Sequence, residues 1–276
     1  MARRKQDIST DITKVNPQLP DFMQGEKVLG TESLTEYVVP PRIKVVQKQA
    51  SEQLLDVFAP GDVILTPTQS VVVQLERDAK GRPVEDQDAS FFVVPLFFYP
   101  EWATWNPIAL KGQEPAIRYR TLDPTDPIVH KSRNKDLRYD NHPDRADLKV
   151  RHVEHLNFVV MLIDHPLAGT PVVVSFSRGE HWVGNNFASL IKMRNAPLFG
   201  CVFTLTPKFR PGQLGDWWGL DVANPESRSP WVDDKDIYEK CKALHLEFAE
   251  YHKSSRLRTN LDDDGVTEDA MATNEM

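Results

Sequence analysis

The sequence predicts a mainly β protein with two helices. The arrangement is an OB-fold-like Greek-key barrel with extra N-terminal strands, a long insertion and a C-terminal helix. Three observations lead there. Short β-branched and aromatic runs recur between turn residues. The 21 prolines outnumber the 13 glycines, which favours turns and extended segments over long helices. From Phe91 onward the segments run strand, insertion, strand, strand, helix, strand, strand, helix. A five-stranded barrel with a helix between its third and fourth strands has that order.

Each element follows from local pattern. Residues 1–35 are polar and mixed and read as a flexible arm. Pro40 and Pro41 bar a helix, and Ile43 and Val45 begin a strand. Gly61–Thr66 and Ser70–Leu75 read as two short strands around a turn, and Asp78–Pro83 as a polar turn. Ser90–Tyr99 is a strand bent at Pro95 and ending at Pro100. Residues 100–150 show no sustained period and read as an insertion. Val153–Ile163 and Pro171–Phe176 are strands. Ser177-x-x-Glu180 fits a capping box, and Val183, Phe187, Leu190 and Ile191 follow at helical spacing, giving a helix over about 178–194. Cys201–Thr206 and Trp217–Val222 are the last two strands, joined by a loop at 207–215. Asp233 or Asp234 caps a final helix whose seam is Ile237, Cys241, Leu244, Phe248 and Tyr251. Residues 36–253 thus read as one nucleic-acid-binding domain, and 254–276 as a disordered acidic tail.

The net charge of −7 is unevenly spread. Residues 259–276 carry Asp262, Asp263, Asp264, Glu268, Asp269 and Glu275 with no Lys or Arg, which leaves the rest of the chain near neutral. Within that body, residues 178–210 and 111–151 are locally basic. In the predicted barrel the two loops framing the binding face are 100–150 and 207–215. The first carries Trp102, Trp105, Arg118, Tyr119, Arg120, Lys131 and Arg133; the second carries Lys208, Phe209 and Arg210. Cations for phosphates and flat rings for bases are what sequence-independent binding of a single strand requires. Lys192 and Arg194 add cations at the end of the first predicted helix. Trp182 and Trp231 read as packing anchors, and Trp217 and Trp218, being adjacent, face opposite sides of a strand.

Other chemistry finds little footing. His152-Val-Glu-His155, with His142 and Asp144 near it, resembles a metal pair, but on a strand residues three apart point to opposite faces. His245 and His252 read as solvent-facing on the last helix. No Walker A, G-x-S-x-G or G-x-G-x-x-G motif occurs. The chain therefore reads as a binding protein without catalytic residues, metal or other cofactor. No run approaches a membrane span, and two cysteines, Cys201 and Cys241, point to a reducing, cytoplasmic setting.

Pro41-Arg-Ile-Lys-Val-Val-Gln, the Val-Val-Pro-Leu strand before Trp102, Asn157-Phe-Val-Val, Val173-Val-Ser-Phe-Ser and the late aromatic strand with its acidic tail resemble bacteriophage-encoded single-stranded DNA-binding proteins with an OB-fold. The resemblance implies a role in phage DNA replication and recombination, in the host bacterial cytoplasm. It also implies recruitment of replisome proteins through Asp262, Asp263, Asp264, Glu268 and Asp269. A homo-oligomer is compatible with it. The rival readings are a virion structural or assembly protein without DNA affinity, and a metal-dependent nucleic-acid enzyme.

Overall fold

The computed structural model describes residues 39–84, 89–211 and 216–257. The predicted arm and the acidic residues of the tail lie outside them. Ten strands form one mixed sheet: β1 (Arg42–Val45), β2 (Val63–Thr66), β3 (Ser70–Val73), β4 (Phe91–Trp105), β5 (Ile117–Thr121), β6 (Tyr139–His142), β7 (Arg145–Ile163), β8 (Pro171–Ser177), β9 (Phe203–Arg210) and β10 (Trp217–Ala223). The helices are α1 (Glu52–Leu55), α2 (Pro127–Arg133), α3 (His181–Met193) and α4 (Lys235–Lys253). The class is mainly β, with the two long helices where the sequence places them.

The strand order is β10-β9-β4-β7-β8-β1-β2-β3, with β5 added to β4 and β6 to β7. Within it, β9-β4-β7-β8 is the 4-1-2-3 order of a Greek key, with α3 in the long return connection. The ring does not close by backbone pairing among the described residues. Beside β8 lies β1, in parallel, through Arg42 and Val173. The free edge of β10 is met by side chains instead. Gln47 accepts from Trp218 N (2.9 Å) and donates to Trp218 O (2.6 Å), and Glu180 accepts from Leu220 N (2.7 Å). Three polar groups of an otherwise unpaired edge are thereby satisfied.

Glu180 therefore does not close a capping box. Ser177 makes no side-chain cap bond; a short 3-10 turn, Arg178–Glu180, intervenes, and α3 starts at His181. The final helix does start as its sequence suggests, with Asp234 accepting from Asp236 N and Ile237 N.

The second half of β7 is continuously apolar from Phe158 to Ile163 because both of its faces are covered. Leu156, Phe158, Val160 and Leu162 join Phe91, Val93, Val174, Phe176 and Phe203 in a core plugged by Val183 and Phe187 of α3. Val159 and Met161 join Val94, Leu96 and Tyr99 under Cys241 and Phe248 of α4. A sheet covered on both sides loses the polar alternation of a half-exposed strand. Burial of each such side chain stabilises the fold by roughly 1.5–3 kcal/mol. His245 and His252 belong to this second layer rather than to solvent. His245 Nδ1 donates to Leu96 O (2.7 Å) and packs on Phe97 and Phe199, and His252 packs on Phe97 and Tyr99.

The 100–150 region is built differently from the predicted insertion. β4 continues through Pro100 to Trp105, and β5, α2, β6 and the start of β7 follow. The prolines are tolerated because residues 94–101 of β4 pair with β7 alone, between the stretches bound by β9 and β5. A bulge between Pro95 and Phe97 takes up the irregularity. α2 starts at an Asp-Pro signal: Asp126 accepts from Ile128 N (2.9 Å), and Pro127 needs no donor at the first position. Past α4, residues 254–257 fold back so that Leu257 is fully buried.

Candidate nucleic-acid interface

Alternation along β9 separates the Lys208-Phe209-Arg210 triplet. These residues lie in the strand itself, not in a loop, and pair with Gly219, Trp218 and Trp217 of β10. Phe209 meets the Trp218 edge at 5.4 Å between centroids, and Lys48 Nζ lies 5.6 Å from the Phe209 ring. Lys208 and Arg210 both reach Asp221. Arg210 is sandwiched between Trp182 (4.9 Å) and Trp217 (5.4 Å) and donates to Leu220 O, so it clips β10 in place. Because Leu220 N and O are used by Glu180 and Arg210, its partner Pro207 is asked for no ladder bond.

The Phe209 side of this sheet opens into a groove of about 880 Å3. Lys48, Arg77, Arg82, Lys208, Phe209 and Trp218 line it, together with small apolar residues, and no described lining residue is acidic. Phe209 is 42% exposed and presents a ring to solvent. Each cation is paired with a carboxylate outside the lining: Asp216 for Lys48 (3.6 Å), Asp62 for Arg77 (3.1 Å), Asp78 for Arg82 (2.8 Å), and Asp221 for Lys208 (2.9 Å), which draws the Lys208 ammonium to the face opposite Phe209. Gly61 lies under this floor with φ +98°; a Cβ there would come within 2.9 Å of the Trp218 ring and 2.7 Å of Leu75. Lys48, Arg77, Arg82 and Trp218 carry no periodic signal that would have singled them out in the sequence.

The remaining sequence-selected residues lie elsewhere. Trp102 and Trp105 are 1% and 4% exposed, so neither ring is open to a base. Trp102 Nε1 donates to Glu154, with Arg133 over its ring; Trp105 Nε1 donates to His155 (3.3 Å), with Arg178 over its ring. Arg118 is held by Glu114 and Asp144, Arg120 lies 3.7 Å from Glu101, and Lys131 binds Asp140. Tyr119 is solvent-facing and donates to Asp126 (2.6 Å). Lys192 is exposed on α3, whereas Arg194 lies between Phe203 and Trp231 and donates to Pro230 O and Asn224. The structure thus brings Phe209 together with Trp218 and with Lys48, Arg77 and Arg82, three cations the sequence did not single out.

Around β7, His152 and His155 have separate partners, as strand alternation requires. His152 bonds Thr104 (2.9 Å) and Asp140 (3.0 Å). Burial, reinforced by the charges of Arg42 and Arg178, holds the His155 pKa well below the usual histidine range. Burial opposes ionisation of Glu154, yet bonds from His181 and Arg133 outweigh it and hold that carboxyl at about 2. Among the described residues, no three His, Cys, Asp or Glu side chains converge as a metal set, and no helix is long and apolar enough to cross a membrane.

A family model described as Pam3 phage gp34-like protein matches residues 13–253. No curated protein and no solved structure matches the chain.

Proposed function

We propose that this chain, which belongs to the Pam3 phage gp34-like protein family, binds single-stranded DNA without reading its sequence, through the groove beside β9. The observation that carries the reading is a solvent-facing Phe209 ring on the floor of a trough whose charged lining is entirely cationic among the described residues. The phosphate track passes Lys48, Arg77 and Arg82 while a base stacks on Phe209; the Lys208 ammonium turns with Arg210 to Asp221 on the opposite face. The carboxylates paired with the track's cations do not forbid the exchange, because exposed ion pairs contribute only about 0–1 kcal/mol. Arg77 is the exception, since Asp62 is buried, and it serves as a fixed donor. Coating of strands during phage DNA replication or recombination is the role this activity serves.

A fluorescent dT oligomer with a 5′-hydroxyl end tests the reading. Phe209→Ala is expected to weaken binding by about 1–3 kcal/mol, the worth of one stacked base. Trp102→Phe, at a buried ring, leaves affinity unchanged. Equal affinity of wild type and Phe209→Ala, or no binding by wild type at low salt, contradicts the reading.

A further inference from the structure

A second cationic cavity lies on the other side of the α3 start, and the groove does not use it. The ladder of β6 with β7 ends at Tyr139 and Arg151, and that of β8 with β7 begins at Ser177 and His155. Residues 152–154 are left without a strand on that edge, apart from a bond from His152 N to Arg138 O (2.9 Å). A cavity of about 320 Å3 occupies the gap. Arg133, Arg138, Arg151, His152, Arg178 and His181 line it, together with Ser132 and Val153. Glu154 is the lone carboxylate of the lining, and it is already bonded to Arg133 and to His181 (3.0 Å).

The cations are held in position. Arg151 is 5% exposed and lies over the Tyr139 ring (5.6 Å); Arg178 is 9% exposed and lies over Trp105 (5.6 Å). Asn185 donates to His181 Nδ1 (3.0 Å), which turns the Nε2–H toward Glu154. His181 is also the first residue of the 13-residue α3, whose N-terminal dipole adds positive potential. Four guanidiniums around one neutralised carboxylate favour a compact, multiply charged oxyanion, and the planar guanidinium fork suits phosphate oxygens in pairs. The volume lies at the low end of small-molecule sites.

We infer that this cavity binds a phosphate monoester, carried either by a free nucleotide or by the 5′ end of a DNA strand. The proposal is independent of the β9 groove, which binds backbone and base rather than a terminal phosphate.

The test uses the full chain. Inorganic phosphate and a nucleoside 5′-monophosphate are titrated by calorimetry, and short dT oligomers with 5′-phosphate or 5′-hydroxyl ends are compared. Saturable one-to-one phosphate binding is expected, weakened about tenfold by Arg138→Gln or Arg151→Gln and unaffected by Lys208→Gln. A 5′-phosphate that tightens oligomer binding identifies the strand end as the source. Tight nucleotide binding with no such gain identifies the free nucleotide. Arg138 is partly exposed, so Arg138→Gln keeps the test valid if Arg151→Gln does not fold. Arginine side-chain NMR of the wild type during phosphate titration is a further readout. Absence of saturable phosphate and nucleotide binding, or binding unchanged in a folded Arg138→Gln protein, overturns the proposal without touching the groove.

Discussion

Gln47 and Glu180 do at the residue scale what a strand would do on the edge of β10. Gln47→Leu removes three hydrogen bonds, two of them to Trp218, and strands the Trp218 amide, at a cost of about 2–4 kcal/mol in urea unfolding. Glu180 adds a pH signature. Burial, opposed by the Leu220 amide and Arg210, raises its carboxyl pKa to about 7. The folded state then binds more protons than the unfolded state between pH 4.5 and about 7, so this group's contribution falls as pH rises through that window. The loss is up to about 3 kcal/mol. His155 acts in the opposite sense, its contribution being lost as pH falls below 6.5. The difference in stability between wild type and Glu180→Gln isolates the Glu180 effect; a difference that does not vary from pH 4.5 to 8 contradicts it. Neither Gln47 nor Glu180 was legible as an edge cap, because their partners lie 171 and 40 residues away. The Ser177–Glu180 spacing suggested a local cap, and the long-range bond to Leu220 won. The Lys208-Phe209-Arg210 triplet was legible in part: strand alternation sorted the ring from its flanking cations, but nothing in the triplet announced the Trp182–Arg210–Trp217 stack.

Among the elements, α3 sits closest to its sheet at Gly184. A Cβ there would meet Leu156 Cδ1 and Phe176 Cβ, each at 2.9 Å. Gly184→Ala raises intrinsic helix propensity yet is expected to destabilise the protein by about 1–3 kcal/mol through overpacking. A higher melting temperature for that variant would contradict the close packing. Most elements were readable in the sequence: apolar periodicity marked α3 and α4, and β-branched and aromatic runs marked β1, β2, β3, β7, β8, β9 and β10. What escaped was continuity. Pro95 and Pro100 looked like strand ends because a proline cannot serve a fully paired strand, and only the missing second neighbour at residues 94–101 removes that objection. The same oversight turned β5, α2 and β6 into a featureless insertion and made Trp102 and Trp105 look like loop rings, when they are buried beside β7.

Taken whole, the molecule is a Greek-key sheet whose two faces are covered by α3 and α4, and the groove proposed to bind DNA lies beside β9. The acidic residues from Asp262 to Glu275 would compete for a cationic groove. Deleting residues 259–276 is therefore expected to tighten single-stranded DNA binding, most at low salt, where charge is least screened; unchanged affinity rejects the competition. The central claim concerns the groove, and its salt dependence tests it most directly. Three cations on the Phe209 side, Lys48, Arg77 and Arg82, at about 0.7 counterions per phosphate predict a slope near −2 for the logarithm of the dT-oligomer association constant against the logarithm of salt concentration. Lys48→Gln should reduce that slope by about 0.7. A slope near zero, or one that Lys48→Gln leaves unchanged, contradicts phosphate binding in the groove.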